Sequence, residues 1–504
     1  MTSDRSLFAT GQVVSRMRLS PTLPPAADEA HTDIADPGMT GPVAGRTLPR
    51  LSCRATVCLA LLPVLDCVVN QLNTILAPRT ESVSMLQVLR GSLVTIMTCV
   101  VLRSFYAIGL HDRAALVAGM LFIYSFAFYL CKEVLNTGSL ELENVTHYVQ
   151  IVYWLEVWLL ATMAFDTPRR RHFALVCIVA GALMSSASIF YGYLTGTRLT
   201  YEYQQIAAST GLFNSGKGVA GVLVVSGIAS AYLLRERANS IGVVIACLMF
   251  TAAFLTYARA GLVALCAELL TIGVWSLIRC PSAATTRWAR RLLAGCVLLG
   301  VIGYLIIGTA DLTARWADMM DPDQAGSGRI TFWKVALDSF WDAGLSEQLL
   351  GRGYVGMYAV MQSGYGMRIH THNDLLDMLL VGGVMGVVCL VIFWATLIAR
   401  LRLLHVASAE YGAGLAILAG LFAQSLLTGQ IFDPSTMAVY VIAFVCVTAV
   451  NFDENVPDIC TYRPPRLMAR EWPDAGLVAE EARFQEWVHW EAEDRAEREN
   501  RIRD

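Results

Sequence analysis

Twelve stretches of this chain are apolar over lengths suited to crossing a bilayer, and that feature decides most of what it can fold into. They lie at about 55–76, 84–102, 114–131, 147–165, 173–193, 218–234, 240–257, 260–278, 291–309, 374–398, 411–428 and 434–450. A helix needs roughly 20 consecutive apolar residues to span the hydrocarbon core. Within it every backbone N–H and C=O must be paired inside the segment or in a closed barrel. The expected fold is therefore an all-α polytopic membrane protein of about 12 transmembrane helices. Charged residues are only 16% of the 504, against about 25% in an ordinary soluble domain. The net charge is −3, and with no basic stripe along the chain no nucleic-acid partner is expected.

Lys/Arg bias in short loops sets the orientation. Alternate loops carry Arg103 and Arg113; Arg169, Arg170 and Arg171; Arg235 and Arg237; Arg279, Arg287, Arg290 and Arg291; Arg400 and Arg402. All fall on one side if both termini are cytoplasmic. Segments 132–146, 194–217, the short turn at Arg259 and a long loop, 310–373, then face outward. The chain divides into a polar, Pro-containing cytoplasmic tail (1–50) expected to be disordered, a transmembrane domain (51–450), and a cytoplasmic C-terminal tail (451–504) with an Arg/Glu-rich helix at about 477–503. The first 50 residues lack the apolar core of a signal peptide.

The long outer loop holds the most legible chemistry. It contains Gly351-Arg352-Gly353-Tyr354, then His370-Thr371-His372-Asn373-Asp374 leading directly into a span. Two of the eight histidines sit at this one entrance, and histidine is the natural proton acceptor near neutral pH. The plainer reading is that Asn373 caps the span helix and the histidines are wet loop residues. Within the loop, Ile330, Trp333, Leu337 and Phe340 recur at helical spacing along 329–341, as in a helix lying at the membrane interface.

Arginines gather on the same outer face: Arg198, Arg259, Arg329, Arg352 and Arg368, with Lys217. Arginine is the preferred bidentate partner of phosphate oxygens; a snorkelling anchor is the alternative for Arg259. Gly211-Leu212-Phe213-Asn214-Ser215-Gly216-Lys217-Gly218 has P-loop spacing, but Gly218 stands where Ser or Thr would reach magnesium, and no strand precedes it. Acids inside spans are Asp66, with Arg90 as a partner, Glu156 and Glu268. No Asp-x-Asp or carboxylate cluster is visible on the outer face and the 13 cysteines are scattered singly, so neither a metal site nor a disulfide framework is expected.

Together these pieces resemble the O-antigen ligase and polymerase superfamily of bacterial inner-membrane glycosyltransferases. The matching residues are Gly211-Leu212-Phe213-Asn214, Ala258-Arg259-Ala260-Gly261, Arg329 with Trp333, Leu350-Gly351-Arg352-Gly353-Tyr354, and His372-Asn373-Asp374-Leu375-Leu376 followed by Gly383-Val384-Met385-Gly386. The resemblance covers about 200–400; the terminal tails are outside it. It implies a periplasmic active site that moves a glycan from undecaprenyl diphosphate to a sugar hydroxyl, without metal or other cofactor. The acceptor would be a glycan, in a polymerase, or lipid A–core, in a ligase, with polymerase favoured. His372 is then the expected base, with Arg259 and Arg352 stabilising the leaving diphosphate. Arg329, Asn373, His370 and Arg198 are expected to bind substrate. Membrane lipid and other polysaccharide-assembly proteins are the remaining expected partners. Two other classes stay open: a transporter or flippase of envelope precursors, permitted by the intramembrane acids, and a non-catalytic scaffold of an assembly complex. No pair of similar halves, which transporters often show, is evident in the sequence.

Overall fold

The computed structural model describes residues 53–76, 142–195, 216–236, 238–256, 258–278, 283–307 and 329–449, with positions 96–97, 131 and 134. All lie in the unit that runs from Leu48 to Asp504. The expected tails at 1–50 and 451–504, the body of the expected spans at 84–102 and 114–131, Arg198 and the first part of the outer loop lie outside the described residues, as do the side chains of Asp66, Arg90 and Lys217.

Every regular element among the described residues is helical. The α-helices are α1 (Cys53–Leu76), α2 (Leu142–Ala164), α3 (Pro168–Thr195), α4 (Gly216–Leu233), α5 (Asn239–Leu255), α6 (Arg259–Ile278), α7 (Ala283–Ile307), α8 (Arg329–Trp341), α9 (Leu345–Leu350), α10 (Gly353–Tyr365), α11 (Asp374–Leu401), α12 (Ala409–Thr428) and α13 (Pro434–Thr448). Helices thus stand at ten of the twelve expected spans, and the ambiguous stretch 240–278 is two helices, α5 and α6. Four of them, α3, α6, α11 and α12, are long and apolar enough to cross a membrane by length and composition.

Sequence explains the layering. α13 is apolar all round and buried along almost its whole length, the signature of a central helix. Asp433 starts it, accepting from the Thr436 N–H at 3.2 Å, and Pro434 occupies the first turn, where a missing N–H costs nothing. α2, α3, α4 and α12 pack around it. α6 lies along α12, which offers Gly412 to Trp275 and Gly420 to Glu268; small residues let helices approach this closely. The outer side of α6 exposes Leu270, Val274 and Leu277, an apolar exterior that suits lipid rather than water.

Contacts at the helix ends sort the bundle into two poles. At one, Arg235 pairs with Glu410 at 2.9 Å, Arg171 donates to the Ala449 carbonyl at 2.5 Å, and Trp275 donates to Val406 O. At the other, Thr436 Oγ1 donates to Gly218 O at 3.0 Å, Gly261 meets Ala220, and Gly429 meets His370. Arg259, which opens α6, is therefore at the pole of the His370–His372 turn, and Arg171, Arg235 and Arg400 are at the opposite one.

Two expectations change. In α8 the buried face is Phe332, Ala336 and Phe340, while Ile330 and Leu337, expected on the apolar face with Phe340, are exposed. The packing surface is set by neighbours α10 and α11, which take the i, i+4, i+8 stripe instead. α11, expected as an uninterrupted span, is broken at Gly383 (φ 61°, ψ −156°). Gly351 (φ 77°) faces that break so closely that a Cβ on Gly383 would stand 2.6 Å from Gln348 O and Gly351 N. The Arg352 N–H donates to Leu380 O at the break, at 2.8 Å. The residues after Gly383, through Leu401, rise about 27 Å, enough to cross most of a hydrocarbon core alone.

Gly383→Ala should therefore destabilise the protein by on the order of 3 kcal/mol, from a backbone region nearly reserved for glycine plus the collision. Thermal unfolding of the purified variant in detergent reads this directly; an unchanged midpoint would show that the seam yields.

Candidate active site

The turn before α11 is built by its own carboxylates and amide. Asn373 caps α11, its Oδ1 accepting from the N–H groups of Leu375 (3.0 Å) and Leu376 (3.3 Å). Asp374, almost completely buried, accepts from Ser425 Oγ at 2.5 Å and from the Ile431 N–H at 3.0 Å. Trp154 Nε1 donates to Ile431 O at 3.1 Å, so α2, α11, α12 and the 3-10 turn Gln430–Phe432 meet here.

Asp377, one turn further on, is fully buried. Its Oδ1 accepts from the Thr371 N–H at 2.7 Å, and its Oδ2 lies 3.1 Å from His370 Nδ1. The His372 N–H also lies 3.3 Å from that nitrogen. One nitrogen cannot donate to the first and accept from the second. The shorter contact is to a charge, and charged partners make the stronger bonds, so Nδ1 carries the proton and Nε2 of His370 is left as the acceptor. His372 sits at φ 59°, a left-handed backbone that side chains other than Asn, Asp and His seldom adopt. The His370 and His372 rings meet edge to face, centroids 4.0 Å apart.

α8 is docked on this turn. Trp333 Nε1 donates to Thr371 O at 3.2 Å, and the Phe332 ring lies between Tyr365 (4.3 Å) and His372 (6.2 Å). Arg329 opens the same helix one turn before Phe332. It is half-buried, and its Nε is buried with no hydrogen-bond partner among the described residues. Burial, and then the nearby Arg259 guanidinium, hold its pKa below the usual arginine value. A guanidinium buried in this way, with a second arginine near it, favours an anion alongside.

Arg352, expected to stabilise the leaving diphosphate, has protein partners in the structure. Its Nε pairs with Glu347 Oε2 at 2.8 Å, and its terminal nitrogens donate to Ser339 Oγ and Ser339 O, both at 3.1 Å. Arg352 thereby ties α9 to α8. His147 on α2 stacks on Tyr354, with centroids 5.2 Å apart, and its Nε2 is 3.1 Å from the Tyr358 hydroxyl. The outer helices are thus fastened to the bundle by their own polar contacts.

Residues 244–391 match the family model described as O-antigen ligase. Over that stretch the chain is similar to the O-antigen ligase family. Among curated proteins there is no match to it. The matched region runs from α5 through the first part of α11 and includes Arg259, Arg329, Arg352, His370, His372 and Asp377. Among the described residues four helices are long and apolar enough to cross a membrane, and two of them, α6 and α11, lie wholly or largely in the matched stretch.

Sequence reasoning named Asp374 only as part of the matching segment, without a role, and missed Asp377 and Gly429. It looked for acids in the middle of spans and for clustered outer carboxylates, and found none in this family domain's outer loop. Asp374 and Asp377 are such a pair, three residues apart and hence on one helix face, but protein donors occupy each of them. The available signal was a second Asp in the first turn of a span that begins with a histidine pair. Among the described residues no group of three His, Cys, Asp or Glu side chains is arranged to hold a metal.

Proposed function

We propose that this O-antigen ligase family member transfers a glycan from undecaprenyl diphosphate to a sugar hydroxyl on the outer face of the bacterial inner membrane, with both termini cytoplasmic. The carrying observation is the convergence of Arg259, Arg329 and the His370–His372 turn at one pole, opposite the Arg171 and Arg235 pole. Positive residues prefer the cytoplasmic side, which supports reading the site as external.

His372 takes the proton of the acceptor hydroxyl as that oxygen bonds to the anomeric carbon. The bond from that carbon to the diphosphate oxygen breaks, and the lipid diphosphate leaves with the electron pair. Arg259 and Arg329 neutralise the charge that grows on it, a role fixed cations fill without reorganisation. Displacement from the opposite side inverts the anomeric centre. His370 and Asn373 shape the acceptor side of the turn, and Arg198 is assigned to the donor. Arg352, committed to Glu347 and Ser339, braces the α8–α9 corner instead of touching the diphosphate. A polymerase, with a second lipid-linked glycan as acceptor, is our first choice over a ligase acting on lipid A–core.

The test is transfer by the purified protein in proteoliposomes, with EDTA present. A Cys introduced at the exposed Leu345 and labelled by an impermeant maleimide reports which face is outside. Product is expected only when donor and acceptor reach the labelled face, and at the same rate with or without EDTA. Transfer from the opposite face, or loss in EDTA restored by Mg²⁺, would contradict the proposal. Supplying lipid-linked glycan and lipid A–core in separate runs assigns the acceptor.

A further inference from the structure

We propose that Asp377 is a positioning residue for the proton acceptor, acting through His370. The inference rests on the reading of His372 as the base. Asp377 is at the root of the turn: one carboxylate oxygen holds the Thr371 N–H at 2.7 Å and the other faces His370 Nδ1 at 3.1 Å. The two residues immediately before His372 are thus fixed by a single side chain. That carboxylate is fully buried, whereas the His370 side chain is 25% exposed. A buried carboxylate behind a partly open imidazole sets the tautomer and orientation of that ring.

Gly429 closes the arrangement from the other side. At φ 67°, a Cβ there would stand 2.8 Å from His370 Cε1 and Nδ1 and 3.0 Å from Asp377 Oδ2. His370 has no room to swing that way. It is held instead against His372, whose ring is 4.0 Å off.

This matters when His372 becomes an imidazolium. A second cation 4.0 Å away would oppose that step. The Asp377 carboxylate, 3.1 Å behind His370 Nδ1, offsets positive charge gathered on the two rings. Other ionisable groups around the turn include Asp374, already bonded to Ser425 and the Ile431 N–H, Arg368, which lies over the Tyr358 ring, and Arg329 on α8 with Arg259 near it.

Steady-state kinetics of glycan transfer by the full-length protein test this. Asp377→Asn keeps an oxygen for the Thr371 N–H but offers an amide to His370 Nδ1, which forces the other tautomer. It should lower kcat roughly 100-fold with donor KM within about twofold of wild type. Asp377→Glu should recover at least about a tenth of the lost rate. His370→Gln should show the same split between kcat and KM, and adding Asp377→Asn to it should cost nothing more, because coupled residues are not additive. Wild-type kcat in Asp377→Asn, an equal change in kcat and KM, or effects that multiply in the double variant would each overturn the proposal. If Asp377→Asn does not fold, His370→Gln alone decides by the same split. His372→Asn is run in parallel. Full activity there removes the base reading and this inference together, whereas an inactive His372→Asn beside a fully active Asp377→Asn overturns this inference alone.

Discussion

His372→Asn is expected to abolish detectable glycan transfer while leaving donor affinity near wild type. A sugar hydroxyl is a poor nucleophile until its proton begins to leave, and a placed base contributes about 10²–10⁴-fold. In the proposed reaction the histidine acts on the acceptor, so the diphosphate-bearing donor should not feel its loss in the ground state. Asn is the better substitution than Ala because the residue stands at φ 59°, and Asn tolerates that backbone where Ala is strained by about 1 kcal/mol. A fall in activity then reports lost chemistry and not a collapsed turn. The measurements are transfer rate and, separately, equilibrium binding of the lipid diphosphate donor. Wild-type-like turnover would remove His372 as the base and raise His370, which offers Nε2 with its other nitrogen on Asp377. A parallel fall in donor affinity would move His372 to the donor side.

Arg329→Ala and Arg259→Ala should each weaken donor binding roughly 10- to 100-fold, the value of one charge-assisted contact. Each should lower turnover by a further 10²-fold or so, because the diphosphate gains charge as it leaves. Lysine at either site should rescue only in part, since it restores charge without the planar fork. Arg352→Ala, by contrast, should cost stability through Glu347 and Ser339 with a smaller effect on donor affinity. Unchanged donor affinity in both Arg259→Ala and Arg329→Ala would leave the proposed anion site without support.

Helix positions were legible in this sequence because a bilayer solvent imposes a length and an apolar content that no soluble fold requires. That is why α6 and α12 begin and end within a few residues of expectation. The break at Gly383 was not legible. Val384-Met385-Gly386 continues an apolar run, and hydropathy does not register where a neighbouring backbone arrives. The buried face of α8 was misread for the same reason: Ile330 and Leu337 fit a helical stripe, but the neighbouring helices select Phe332 and Ala336. At the site, residue type picked out the histidines and Arg329, which lie at one pole, but nothing in Gly351-Arg352-Gly353 indicates that Glu347 and Ser339 are the partners of Arg352. Asp377 was overlooked because its partners are set by a tight turn and not by periodicity.

The seam between Gly351 and Gly383 limits how this chain can diverge. Most crowded positions in a protein can drift in pairs, one residue growing as its neighbour shrinks. Here both partners already lack a side chain, and each would drive a Cβ into the other's main chain. No compensating change exists at the opposite position, so the two cannot be exchanged one at a time. Loop grafts meant to alter which sugars are accepted have latitude between Val355 and Arg368, where many side chains are exposed or half-buried. Any such graft has to re-enter the parent chain with this glycine pair intact, or the half-helix that carries His372 loses its seat.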